Sequence, residues 1–162
     1  MLEIWSATSD DAPTILAFIR GLAEYEKMPD AVEVNEATLA SQLRSTPPPF
    51  ECLLAEDGER AVGFALLFQT YSTWRGRQGL WLEDLFVLPD QRRRGVGKRL
   101  LDRVVSLAKE RGCGRVEWSV LDWNQPAIDF YEKMGANVLP DWRIVRITGD
   151  ALEQLAAAAG QK

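Results

Sequence analysis

Histidine is absent from the 162-residue chain. With it go the Ser-His-Asp triad, the Cys-His nucleophile pair and any histidine-ligated metal site. Cysteine is almost as scarce: Cys52 and Cys113 stand far apart without CxxC spacing. That count argues against a disulfide framework or a zinc site, and fits reduced thiols in the cytoplasm. No metal ion is therefore expected. Long apolar runs are missing as well. The longest, from Ala61 to Phe68, is broken by Gly63 and is far too short to cross a bilayer. The opening "MLEIWSATSDDAP" has no basic region followed by an apolar stretch, so it does not read as a secretory leader. Acid–base chemistry must then draw on carboxylates, Tyr, Lys, Cys, backbone groups or water.

What remains is an ordinary soluble composition, 46% hydrophobic and 27% charged, with a net charge of −5. Its length suits one domain, residues 1–162, around a single core. Ile4 to Ala7 reads as a first strand. "TSDDAPTILAFIRGLAEYEK" reads as a helix capped at Thr8 or Ser9, with Ile15, Leu16, Ile19, Leu22 and Ala23 on its apolar face. A second helix is expected after Asn35, ended by "STPPP". "FECLLAE" and "AVGFALLFQTYST" form an antiparallel pair about Asp57-Gly58, and "GLWLEDLFVL" is a third strand. A long helix follows through "GKRLLDRVVSLAKERG", with Gly112 at its end. "RVEWSVL" reads as a strand, "QPAIDFYEKMG" as a short helix, "WRIVRIT" as another strand, and residues from Thr148 as a last helix. The expected class is mixed α/β (α+β): one mostly antiparallel central sheet flanked by helices.

One stretch contradicts the acidic background. "PDQRRRGVGKRLL" sets Arg92, Arg93 and Arg94 against Gly95-Val96-Gly97, between a predicted strand and a long helix. Nucleic-acid binding would need phosphate contacts spread over a basic surface, whereas Asp84, Asp90 and Asp102 flank this knot. A helix N-terminus with glycines, by contrast, offers unpaired N–H groups to a phosphate. The sequence is neither a Walker A loop nor a complete GxGxxG, because Leu100 stands at the third glycine position. A solvated arginine-rich turn is the other reading of the knot taken alone.

The R/Q-x-x-G-x-G/A pattern at Arg92–Gly97, placed after "LEDLFV", resembles the pyrophosphate loop of the GNAT superfamily of N-acetyltransferases. "WSVLDWNQPAIDFYEKMGA" resembles that superfamily's second signature. "LAEYEKM", "VGFALLFQTYSTW" and "WRIVRITG" extend the similarity to the diamine (spermidine/spermine) and thialysine acetyltransferase branch, over about Leu22 to Gly149. The resemblance implies the GNAT fold, acetyl-CoA as acetyl donor, a small-molecule amine as acceptor, a homodimer, and no nucleic-acid or membrane partner.

It also implies roles. Arg92, Arg93, Arg94, Gly95, Val96, Gly97 and Lys98 would hold the pyrophosphate. Leu85, Phe86 and Val87 would meet the pantetheine arm like an added strand, with Asn124, Pro126 and Ala127 contributing. The Glu83-Asp84 doublet interrupts the alternation of "LWLEDLFV", which itself suggests a β-bulge exposing backbone groups. A carboxylate there would help remove a proton from an ammonium, a step that costs about 4 kcal/mol at neutral pH; Glu83 is the expected base. Tyr131 matches the family's general acid, a phenol able to protonate a departing thiolate. Phe130 beside it is assigned to the core. The amine site would comprise Tyr25, Glu26, Trp74, Glu83, Asp84, Glu117, Trp118 and Ser119. One position departs from the pattern: Ser72 stands where the polyamine enzymes carry an acidic residue, which removes a charge suited to a polycation's far ammonium. The competing class is a catalytically silent acetyl-CoA-binding module with a regulatory or assembly role. Glu83 and Tyr131 argue for an enzyme instead.

Overall fold

Capping and patterning set the first elements. The Thr8 hydroxyl accepts from the Asp10 N–H, and the Asp11 carboxylate accepts from the Thr8 N–H at 2.7 Å. This reciprocal cap turns the chain out of β1 (Leu2–Ser6) through one 3-10 turn into α1 (Ala12–Tyr25). Asn35 caps α2 (Glu36–Arg44) by accepting from the Thr38 N–H at 2.9 Å. The computed structural model describes residues 1–160, which divide into two compact units, Met1–Ser119 and a second from Val120 onward.

In the first unit, β2 (Glu51–Asp57), β3 (Arg60–Ser72) and β4 (Arg77–Val87) follow α2. α3 (Val96–Glu110) and the two-residue β5 (Val116–Glu117) complete it. The sheet order is β1-β2-β3-β4-β5, antiparallel except that β5 runs parallel to β4. Residues opposite one another across a ladder share a face. Cys52, Leu54, Phe64, Leu66 and Phe86 accordingly form one apolar layer, packed on Ile15, Leu16 and Phe18 of α1 and Leu39 of α2. On the opposite face, Leu100 of α3 lies 3.4 Å from where a Cβ at Gly63 would sit. The stripe Leu100, Leu101, Val104 is fully buried.

The second unit holds α4 (Gln125–Lys133) and α5 (Gly149–Ala159). Gly135, at φ +89°, ends α4 as the Ala136 N–H returns to the Tyr131 carbonyl at 3.0 Å. Three expectations are corrected. "WRIVRIT" forms no strand among the described residues: its alternation is right, but a strand exists only where a ladder partner meets it. "RVEWSVL" contributes only Val116 and Glu117, so Trp118 and Ser119 lie beyond the strand. Phe130 is half-buried and not fully inside; its ring meets Tyr131 at 5.4 Å. No described helix is long and apolar enough to cross a membrane.

Candidate active site

The ladder between β3 and β4 breaks at one point. Leu66 pairs with Asp84 and Leu67 with Leu82, leaving Glu83 as the extra residue of a β-bulge. The bulge changes which backbone groups face outward. Before it, the Leu80 N–H points at β5 and bonds the Arg115 carbonyl; after it, the Leu88 N–H points back at β3 and bonds the Val62 carbonyl. Alternation then turns the N–H and C=O of Leu85 and Val87 away from β3, toward the β5 side. β5 does not follow, since it pairs only Val116 with Leu80 and Glu117 with Trp81. β4 therefore continues past its neighbour, and among the described residues no strand pairs with its outer edge over residues 82–87.

Three carboxyl groups gather on the α1 side of that edge. Asp84 lies opposite Leu66 and so points into the α1 layer. Its pKa is pushed up to about 7, first by burial, then by the negative charges of Glu83 and Glu26. Burial also raises Glu26, just past the end of α1. Burial pushes the Cys52 thiol well up, with Asp84 adding to the effect, so this cysteine is an inert core residue. Glu83 is exposed, its carboxylate held by the Trp81 indole N–H at 2.8 Å.

At the end of β4 the chain turns into α3. Gly95 stands before the helix at φ +83°, a left-handed conformation that glycine adopts freely, and it brings no capping side chain. The Arg99 N–H reaches the Gly95 carbonyl, so the N–H groups of Val96, Gly97 and Lys98 precede the first intrahelical bond. They lie at the positive end of a fifteen-residue helix dipole, the end that attracts anions in general.

The cations of the knot do not act as one cluster. Arg94 bonds Gln91 and pairs with Asp57 at 3.2 Å, and Lys98 pairs with Asp102 at 2.7 Å. Arg92 folds inward: its Nε donates to the Val87 carbonyl at 3.1 Å, and its guanidinium lies 4.6 Å from the Tyr25 ring centroid and 5.7 Å from that of Phe86. Among the described residues Arg93 alone of these cations has neither ion pair nor side-chain bond, and it is exposed with φ +62°.

Tyr25, Glu26, Glu83, Asp84, Leu85, Phe86, Val87 and the turn 92–98 thus meet around one stretch of sheet. Phe86 itself has its side chain buried in the core and, by the same alternation, its N–H and C=O turned toward β3. Trp74 stands exposed at the tip of the β3–β4 hairpin. Below it, buried Ser72 accepts from the Arg75 N–H at 3.3 Å. Asn124, Pro126, Ala127 and Tyr131 belong to the second unit; Asn124 is buried and does not cap α4 with its side chain. Two features escaped the sequence reading. Arg92's inward turn leaves no pattern in the chain. Gly21 does leave one, as a glycine inside a helical stretch: a Cβ there would come within 2.9 Å of the Phe86 ring.

An unpaired strand edge, an uncapped helix start and carboxyl groups thus lie together in the first unit. A family model described as the acetyltransferase (GNAT) family matches residues 11–136, and the chain belongs to that family. It is an N-acetyltransferase, and the family's acetyl donor is acetyl-CoA. The thialysine N-epsilon-acetyltransferase of Sus scrofa is 38% identical over 94% of this chain and 96% of its own length. An L-ornithine N5-acetyltransferase of Arabidopsis thaliana is 34% identical over 92% and 85%. Among solved structures, an integron cassette protein from the mobile metagenome of V. cholerae superposes with a TM-score of 0.80, covering 96% of this chain and 97% of that one at 23% identity.

Proposed function

We propose that this chain transfers the acetyl group of acetyl-CoA to a primary amine of a small cationic molecule, by direct attack in a ternary complex. The acceptor is a thialysine-, lysine- or ornithine-like amino acid, or a diamine or polyamine. The observation that carries this reading is the open edge of β4, which has three carboxyl groups on one side and the uncapped start of α3 at its end. The edge suits an extended pantetheine arm, the helix start suits a pyrophosphate, and the carboxyl cluster suits an ammonium.

The chemistry follows from the parts. The N–H groups of Val96, Gly97 and Lys98, with the Arg93 side chain, bind the pyrophosphate within the turn 92–98. The backbone of Leu85–Val87 aligns the thioester, and an outward N–H from this segment steadies the developing oxyanion. Glu26, Asp84 and Glu83 attract the ammonium, and Glu83 takes its proton, directly or through water. The free nitrogen attacks the acetyl carbonyl; the C–N bond forms, the C–S bond breaks, the thiolate takes a proton from Tyr131, and the second proton shed by the acylated nitrogen returns through solvent to restore the phenol. Asn124, Pro126 and Ala127 serve the pantetheine side, and Glu117, Trp118, Ser119, Tyr25 and Trp74 the amine side.

The hairpin tip bears on substrate length. Ser72 is neutral and occupied in the turn, and Arg75 and Arg77 stand exposed beside it without ion pairs among the described residues. A long polycation would meet these charges, so the shorter amines are favoured. The family match crosses from the first compact unit into the second, which supports residues 1–162 acting as one acetyltransferase domain. A cytoplasmic homodimer completes the proposal, with two free cysteines in keeping with a reducing compartment.

The test is a panel of thialysine, lysine, ornithine, putrescine, spermidine and spermine with acetyl-CoA, read by thiol release and product mass. Acetylation of a short amine, with kcat/KM at least tenfold above that for spermine, is expected. No turnover on any of them would remove the enzymatic reading.

A further inference from the structure

Arg92 sits inside the motif assigned to the pyrophosphate, but its side chain points elsewhere. The Nε–H bonds the Val87 carbonyl at 3.1 Å, which is the last outward-facing carbonyl of the open β4 edge. Its guanidinium lies over Tyr25 at 4.6 Å and near Phe86 at 5.7 Å. Phe86 is in turn fixed from behind, by Phe18 at 6.1 Å and by the close approach of Gly21. Tyr25 is the last residue of α1, and the next residue, Glu26, is one of the charges that raise Asp84. One side chain from the turn into α3 thus touches both the end of α1 and the end of β4.

We infer that Arg92 is a positioning residue, a strap that closes the β4 edge at Val87 and holds the Tyr25–Glu26 end of α1 against the carboxyl cluster. The inference rests on the proposed transfer reaction and assigns a different job within it. By occupying the Val87 carbonyl, Arg92 limits how far an added strand can run along the edge, and so fixes the register of the donor arm. By stacking on Tyr25, it sets the wall on which the amine is received. A planar guanidinium does both at once: it donates from Nε while its face covers an aromatic ring. A lysine ammonium supplies the same charge but cannot hold that geometry. An arginine that bound phosphate as a simple cation would tolerate the exchange far better.

The experiment compares Arg92→Lys with the natural enzyme, using thialysine and L-ornithine as amines. Amine KM, kcat and the equilibrium Kd for coenzyme A are each measured, with a thermal melt of every protein. The strap predicts an amine KM raised about tenfold and a lowered kcat, with the coenzyme A Kd changed less than threefold. Wild-type amine KM in Arg92→Lys, or a loss confined to the coenzyme A Kd, would overturn it. If Arg92→Lys melts early, Tyr25→Leu keeps the arginine and removes only the ring; the same rise in amine KM is expected, and no rise would refute the strap. The Arg92→Lys/Tyr25→Leu double variant should be no worse than the poorer single one, because both remove one contact. Additive losses would contradict a shared strap. Natural-enzyme turnover is measured first. Its absence counts against the proposed reaction, while turnover with unchanged variants counts against the strap alone.

Discussion

Asp84 and Glu83 are adjacent in sequence and separate in environment. The bulge leaves Glu83 in solvent with its carboxylate fixed by Trp81, and turns Asp84 into the α1 layer, where its pKa lies at about 7. Below that pH Asp84 is neutral; above it the cluster gains a further negative group beside Glu83 and Glu26. Cationic-amine binding should therefore strengthen as pH rises through about 7, and Asp84→Asn should flatten that step in kcat/KM. The linkage to stability has the opposite sense. A carboxyl whose folded pKa is raised binds its proton more tightly folded than unfolded, so its ionisation lowers stability between about pH 4 and 7. Asp84→Asn should stabilise the protein by roughly 1–3 kcal/mol at pH 8 and by almost nothing at pH 3.5. A melt series over that range checks the sign. For Tyr131, replacement by Phe should lower kcat by about 10–100-fold and leave coenzyme A affinity unchanged; unchanged turnover would remove it from the mechanism. The doublet was legible in the sequence because it breaks an alternation. Which carboxylate would be buried was not, since that depends on the register against Leu66.

At the scale of elements, α1 is placed by its small residue as much as by its large ones. Gly21 lets the helix approach until the Phe86 ring fills the space where a Cβ would stand, and that ring also meets Phe18. Gly21→Ala forces a 2.9 Å contact in a layer with little slack. It should cost about 1–3 kcal/mol and raise the amine KM by displacing Tyr25 and Glu26; a neutral melt would show that the layer can yield. Most elements were readable from caps and periods: Thr8, Asn35, Asp57-Gly58 and Gly112 each stand where the chain turns. The failures share one cause. "RVEWSVL" and "WRIVRIT" have strand patterns, but a pattern encodes a preference for a pleated surface and not the presence of a neighbouring edge. β5 parts from β4 after two pairs. That early parting, invisible in either segment alone, is what leaves the β4 edge open.

For the whole molecule, the acidic balance and the basic turn are reconciled by geometry. Arg94 and Lys98 are tied to Asp57 and Asp102, Arg92 is folded onto Val87, and the proposed anion site rests chiefly on backbone N–H groups at the start of α3. The glycine spacing was the legible part of this, and the partners of the arginines were not. The central claim is that this turn holds the donor's pyrophosphate while its arm lies along β4. Amide hydrogen exchange with and without coenzyme A measures that directly. Slowed exchange at Gly95–Lys98 together with Leu85–Val87 is predicted, whereas protection confined to other segments, or none at saturating coenzyme A, would contradict it.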